Sequence, residues 1–225
     1  FTHYSSANGL LSSQVNSIAQ DSDGYIWIAS AGGLQRFDGA RFKDFRHNRK
    51  DSFSIPANNI IQIKRDKKNN LWILGGDGRA GIFDTHTFRF QEAGIKVKDP
   101  NSLRTEQRRL ITDTAGNVFF LYVGHEIVTY DPGRNLFSFE NNFFRLPDQL
   151  RPSDMVQDPV SGKYYIGIAQ GGVAVFDRSS GKMSYKGNNE AAEWIVDAMA
   201  DIPFPTNFFL DSRQRLWFDN WGPGY

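Results

Sequence analysis

The sequence predicts an all-β chain, a β-propeller of four-stranded blades, and three observations carry that prediction. First, an Asp recurs six residues before an aromatic: Asp21 and Trp27, Asp66 and Trp72, Asp113 and Phe119, Asp158 and Tyr164, Asp211 and Trp217. The successive spacings are 45, 47, 45 and 53 residues. Second, an aromatic–Asp pair runs in phase with it, at Phe37–Asp38, Phe83–Asp84, Tyr130–Asp131 and Phe176–Asp177, with spacings of 46, 47 and 46. Third, the strand-like segments do not alternate. Tyr25, Ile26, Trp27 and Ile28 are all apolar, as in a sheet buried on both faces. Four short strands repeated every 40–50 residues read as propeller blades.

The elements follow in order within the first unit. Residues 15–20 form the first strand, 21–24 a tight turn and 25–30 the second strand. Residues 34–38 form the third strand and 41–45 the fourth. A further pair of large apolar residues marks each fourth strand: Phe42 and Phe45, Phe88 and Phe90, Phe137 and Phe139, Met183 and Tyr185. The blades are expected at about 10–45, 55–90, 103–139 and 150–185, with an incomplete fifth at 205–225, all within one partial propeller over 1–225. A short helix is expected near 190–199, inside the loop that stretches the last spacing to 53. Residues 1–4 (FTHY) resemble a fourth strand and are expected to close a ring by serving as its outer strand. Four and a half blades leave a raw edge, so the chain is expected to be part of a longer one. The same edge predicts pairing with the remaining blades or with a second copy of the chain.

Composition bounds the function. The chain has 225 residues, 40% hydrophobic and 23% charged, with 19 Phe and 21 Gly. The net charge of +1 offers no field for nucleic acid. The absence of cysteine excludes disulfides and thiolate chemistry. No run of 18 apolar residues occurs, so no helical membrane insertion is expected from this segment.

The residues 9–39, GLLSSQVNSIAQDSDGYIWIASAGGLQRFDG, closely resemble the two-component regulator propeller repeat. The pattern is a Gly-Leu-Ser start, Val-x-x-Ile, Asp-x-x-Gly, Ile-Trp-Ile and Gly-Leu-x-x-aromatic-Asp. The second unit keeps Asp66, Trp72 and Phe83–Asp84. The third and fourth replace the Trp by Phe119 and Tyr164. The resemblance implies the N-terminal part of a seven-bladed ring, outside the bacterial inner membrane. It also implies a parent sensor, a histidine kinase or hybrid, that responds to an oligosaccharide. Alternatives are a scaffold propeller of a cell-surface or secretion complex, and a propeller polysaccharide lyase or hydrolase.

The residue chemistry points to scaffold at most marked positions. Asp21 opens DSDG, which looks like the start of a calcium loop, but the equivalent turns lack further carboxylates. Turn capping is the expected role of the repeated Asp, and core packing that of the repeated aromatic. His3, His47, His86 and His125 show no metal-ligand spacing. GGDGRAG (75–81) lacks the Lys-Ser/Thr of a P-loop, and its glycines suit turns with positive φ. KRDKKNN (64–70) reads as a solvated turn. No catalytic residue, metal or cofactor is therefore expected. Loops joining a fourth strand to the next first strand are long and variable (46–54, 91–103, 140–150 and 186–205). They share one face with the loops joining second and third strands. Recognition is expected there, with Arg79, Arg108, Arg109, His125 and Trp221 as ligand-binding candidates and Trp221 as the sugar-stacking one.

Overall fold

The computed structural model describes residues 3–220. Among the described residues it contains five β-sheets, and in each of the four larger ones four consecutive strands form an up-and-down meander. The chain divides into two compact units. The first runs to Gly94 and includes Ala115–Val118, and the second comprises Ile95–Thr114 and the chain from Phe119 onward.

The first unit holds two blades. One is β1 (Val15–Gln20), β2 (Ile26–Ser30), β3 (Gly33–Phe37) and β4 (Phe42–Phe45). The other is β5 (Ile60–Arg65), β6 (Leu71–Gly75), β7 (Ala80–Asp84) and β8 (Arg89–Glu92). β6 is buried at every position, as the unbroken apolar run LWILG requires of a sheet covered on both faces. Trp27, Leu34, Ile60, Ile63, Ile73 and Phe83 form a core shared by the two blades. The Trp27 and Phe83 rings meet edge to face at 5.6 Å. Polar links tie the two innermost strands: Asn16 Nδ2 donates to Ile60 O at 2.8 Å, and Ile63 N donates to Ser17 Oγ at 3.2 Å.

The second unit begins with a five-stranded sheet. β9 (Gly94–Lys96) lies outside β13 (Leu136–Ser138), after β10 (Arg108–Thr112), β11 (Val118–Tyr122) and β12 (Glu126–Asp131). The next blade is β14 (Pro152–Gln157), β15 (Tyr164–Ile168), β16 (Val173–Asp177) and β17 (Lys182–Ser184). A short helix, α1 (Trp194–Ala198), packs Ile195 and Val196 against Val173 and Val175. β18 (Pro205–Leu210) and β19 (Leu216–Asn220) form the last pair.

Three differences from the sequence reading have physical causes. Residues 91–103, read as a loop, contain β9, because the edge of β13 offers unpaired backbone groups that a neighbouring strand satisfies. Trp217 is not core: it is 54% exposed, with the Arg215 guanidinium 5.4 Å from its ring centroid. No further sheet follows β18 and β19 among the described residues, so this pair lacks the neighbouring blade whose face would cover Trp217 as Trp27, Trp72, Phe119 and Tyr164 are covered. His3 and Tyr4 carry no strand. Tyr4 instead packs edge-on against Phe37 and Phe42, at 5.2 and 5.7 Å. The rest of the proposed closing strand lies outside the described residues.

Candidate functional site

The repeated Asp residues build the turns and do more than cap them. Asp21 Oδ1 accepts from the backbone N–H groups of Asp23 and Tyr25, at 3.0 and 2.9 Å. Its other oxygen accepts from the Trp27 indole at 2.7 Å. Asp66 repeats this with Lys68 N, Asn70 N and Trp72 Nε1, at 2.9, 2.9 and 3.0 Å. Asp211 and Trp217 do so at 3.1 Å. The six-residue spacing thus marks a latch that satisfies an indole N–H, buried in Trp27 and Trp72. Phe119 has no donor to offer, and Asp113 takes the Tyr164 hydroxyl at 2.6 Å. Asp158, whose own aromatic reaches elsewhere, accepts from Ser161 Oγ at 2.5 Å and from Val160 N at 2.9 Å. The second aromatic–Asp marker caps exposed turns. Asp38 accepts from Ala40 N and Arg41 N, Asp84 from His86 N and Thr87 N, Asp131 from Gly133 N, and Asp177 from Ser179 N and Oγ. Side-chain and backbone donation by Ser179 holds the Asp177 carboxyl down at about 2. Among the described residues no three His, Asp or Glu side chains gather as metal ligands.

The five candidate ligand residues do not converge. Arg79 lies in the first unit, with Nε on Asp77 at 2.7 Å and Nη2 on Pro56 O. The other described candidates are in the second unit. Arg108 donates to Leu103 O at 2.9 Å, and its Nε is buried without a hydrogen-bond partner beside the Tyr122 ring. Burial pushes the Tyr122 hydroxyl up to about 12. Arg109 donates to Asn207 Oδ1 and lies 3.7 Å from Asp154 Oδ2. Asn207 in turn donates to Asp219 at 2.6 Å, and Asp154 accepts from Phe208 N at 2.9 Å. Arg109 therefore ties the innermost strands β10, β14 and β18 together. Trp221 lies outside the described residues.

Of the described candidates, His125 lines a cleft. The cleft has a volume of about 720 Å³ and opens between the loop before β10, the β11–β12 turn and the loop from β13 to β14. These are the long variable loops and the second-to-third-strand turn of one face, the face on which recognition was expected. Ile127, Phe144, Leu146 and Leu150 supply apolar lining, and Lys98, Asp99, Glu126, Arg145, Asp148 and Arg151 the charge. Phe144 is anchored in the core with Phe119 and Tyr164, which fixes one wall.

The acids of the cleft are engaged. Glu126 accepts from Lys98 N, Asp99 N and Ser102 Oγ, at 3.0, 3.0 and 2.6 Å. Asp99 Oδ1 caps the 3-10 turn Pro100–Arg104 through Asn101 N at 2.9 Å. That backbone bond is the chief reason its carboxyl sits below the ordinary range. The Asp99 carboxylate also stands 3.9 Å from His125 Nδ1. Asp148 pairs with Lys98 Nζ at 2.9 Å, which lowers its carboxyl too. Sequence reading found His125 but missed the others. The only local signal was the mixture of apolar and basic residues in FFRLPDQLR (143–151).

Comparison with known proteins gives short sequence matches and a chain-wide likeness of fold. Residues 9–32 match the model of the two component regulator propeller. A stretch of 55 residues is 42% identical to histidine kinase P4 of Formosa agariphila, covering 24% of this chain and 4% of that protein. The extracellular domain of BT3049 from B. thetaiotaomicron, assigned to a hybrid two component system, superposes with a TM-score of 0.69. It is 20% identical over 97% of this chain and 29% of that one. The corresponding domain of BT4673 gives 0.65, with 20% identity over 92% and 28%. Virginiamycin B lyase from Staphylococcus aureus gives 0.61, with 12% identity over 92% and 63%. These structural likenesses show the fold, a β-propeller. The chain spans less than a third of the length of the first relatives it resembles.

Proposed function

We propose that this chain is part of the ligand-sensing propeller region of a two-component sensor, a histidine kinase or hybrid anchored in the inner membrane. The segment sits on the periplasmic or extracellular side, binds an oligosaccharide and carries out no chemistry on it. The observation that carries this reading is the match of residues 9–32 to the two component regulator propeller. The stretch shared with a histidine kinase and the likeness to extracellular domains of two-component proteins support it. Among the described residues no helix is long and apolar enough to cross a membrane.

The cleft beside His125 is the proposed ligand site. Its apolar lining suits the C–H faces of sugar rings, and its charged rim suits their hydroxyl groups. Loops on a rigid sheet scaffold can vary their ligand without disturbing the fold. The likeness to a lyase does not carry an enzyme reading, since one fold hosts many functions.

The test is autophosphorylation of the full-length parent in membrane vesicles, with and without oligosaccharides. The expected result is a ligand-dependent change that is lost when Leu150→Arg blocks the cleft. Binding of another protein with no effect of any saccharide would favour a scaffold propeller. Chromatographic turnover of the saccharide would favour an enzyme.

A further inference from the structure

We infer that the cleft selects an anionic saccharide, with Arg145 and Arg151 gripping its carboxylate or sulfate group; this rests on the cleft being the ligand site. What separates the two arginines from the other polar groups of the cleft is that their guanidinium groups lack partners among the described residues. Lys98 is paired with Asp148, and its backbone N–H is held by Glu126. Glu126 accepts from three neutral donors and Asp99 Oδ1 from Asn101 N, so both keep their charge but their oxygens are held in place. Arg145 and Arg151 also line the cleft, and both are exposed. Neither guanidinium makes a hydrogen bond or an ion pair within 4.0 Å among the described residues, although Arg151 lies in the field of Asp99 and Asp148.

The two arginines are nevertheless well placed. Arg151 N donates to Gln170 Oε1 at 3.1 Å, and Arg151 O accepts from Ala169 N at 2.7 Å, so its backbone is clamped to the β15–β16 turn. Arg145 follows the buried anchor Phe144 and precedes Leu146, which packs on the same core. A guanidinium offers a planar fork of donors that matches a carboxylate or a sulfate, and two such forks beside apolar lining describe an acidic sugar better than a neutral one. A uronic acid and a sulfate ester share this chemistry, and the experiment separates them.

The experiment is titration calorimetry of the parent protein's complete extracellular region with three trisaccharides: a trigalacturonate, a sulfated neutral trimer and an uncharged trimer. At least one anionic trimer is expected to bind roughly tenfold or more tighter than the neutral one. That preference should shrink as salt is raised. The Arg145→Ala/Arg151→Ala double variant should bind all three alike, at the neutral trimer's affinity, with an unchanged melting temperature because both side chains are exposed. Arg134→Ala, outside the cleft, should leave the preference intact. Equal affinities in the native region, or a preference that survives the double variant, would overturn this inference and leave the sensor reading standing. Failure of all three trimers to bind would overturn the saccharide reading of the cleft together with it.

Discussion

The Tyr164 hydroxyl donates a 2.6 Å hydrogen bond to Asp113, across 51 residues of sequence. In the blades led by Asp21 and Asp66 the same carboxylate position takes an indole N–H from six residues downstream. With Phe119 at that position, the β10–β13 blade replaces an intra-blade latch by an inter-blade one. Tyr164→Phe is therefore expected to loosen the contact between two blades rather than one turn. The cost should be about 1–3 kcal/mol, since a buried carboxylate loses a partner. Urea denaturation followed by tryptophan fluorescence measures it.

The same hydroxyl predicts a pH dependence. Burial, then the bond to Asp113, raises the Tyr164 pKa well above its ordinary value, and burial raises Tyr122 to about 12. For a group whose folded pKa is raised, stability is complete below the unfolded pKa. It falls as pH climbs from about 10, where the unfolded chain begins to ionise first. Stability should drop between about pH 10 and 12, with a shallower slope in Tyr164→Phe. Denaturant titrations across that range provide the comparison.

Two repeated carboxylates in the first blade should differ sharply. Asp21→Ala removes acceptors from two backbone N–H groups and strands the buried Trp27 indole. A loss on the order of 2–4 kcal/mol is expected. Asp38→Ala affects only two donors of an exposed turn and should cost much less. Comparable losses in thermal melts of the two variants would refute the latch.

Arg109 should behave as scaffold, not as a ligand contact. Its removal leaves the buried Asp154 with one charge partner fewer and cuts the link to Asn207. Arg109→Ala is expected to lower stability by about 1–3 kcal/mol, a value discounted because the guanidinium is partly exposed. Saccharide affinity should be unchanged when measured well below the melting temperature.

Much of the fold was legible because its signals are local. Asp21 and Trp27 lie six residues apart, and IWIAS and LWILG are too apolar for a one-faced sheet. Such patterns repeat wherever a blade repeats. The capping role of Asp38, Asp84, Asp131 and Asp177 was legible for the same reason, since an Asp side chain bonds the backbone two or three residues on. The candidate site was legible only as a face. The alternation of strand direction placed the variable loops together, but it named Arg109, which the structure commits to Asn207, and passed over Arg145 and Arg151.

The sequence by itself determined the blades, their order, their turns and the side of the sheets that carries the variable loops, because each follows from contacts within a few residues or from strict alternation of strands. The tertiary structure alone decided that β9 joins the edge of β13, that Asp113 is satisfied by Tyr164, and that Arg109 ties three inner strands. It alone decided which charges in the cleft are already paired. Each of those joins groups tens of residues apart, and whether a charge is free for a ligand depends on every partner within reach, which no local pattern records.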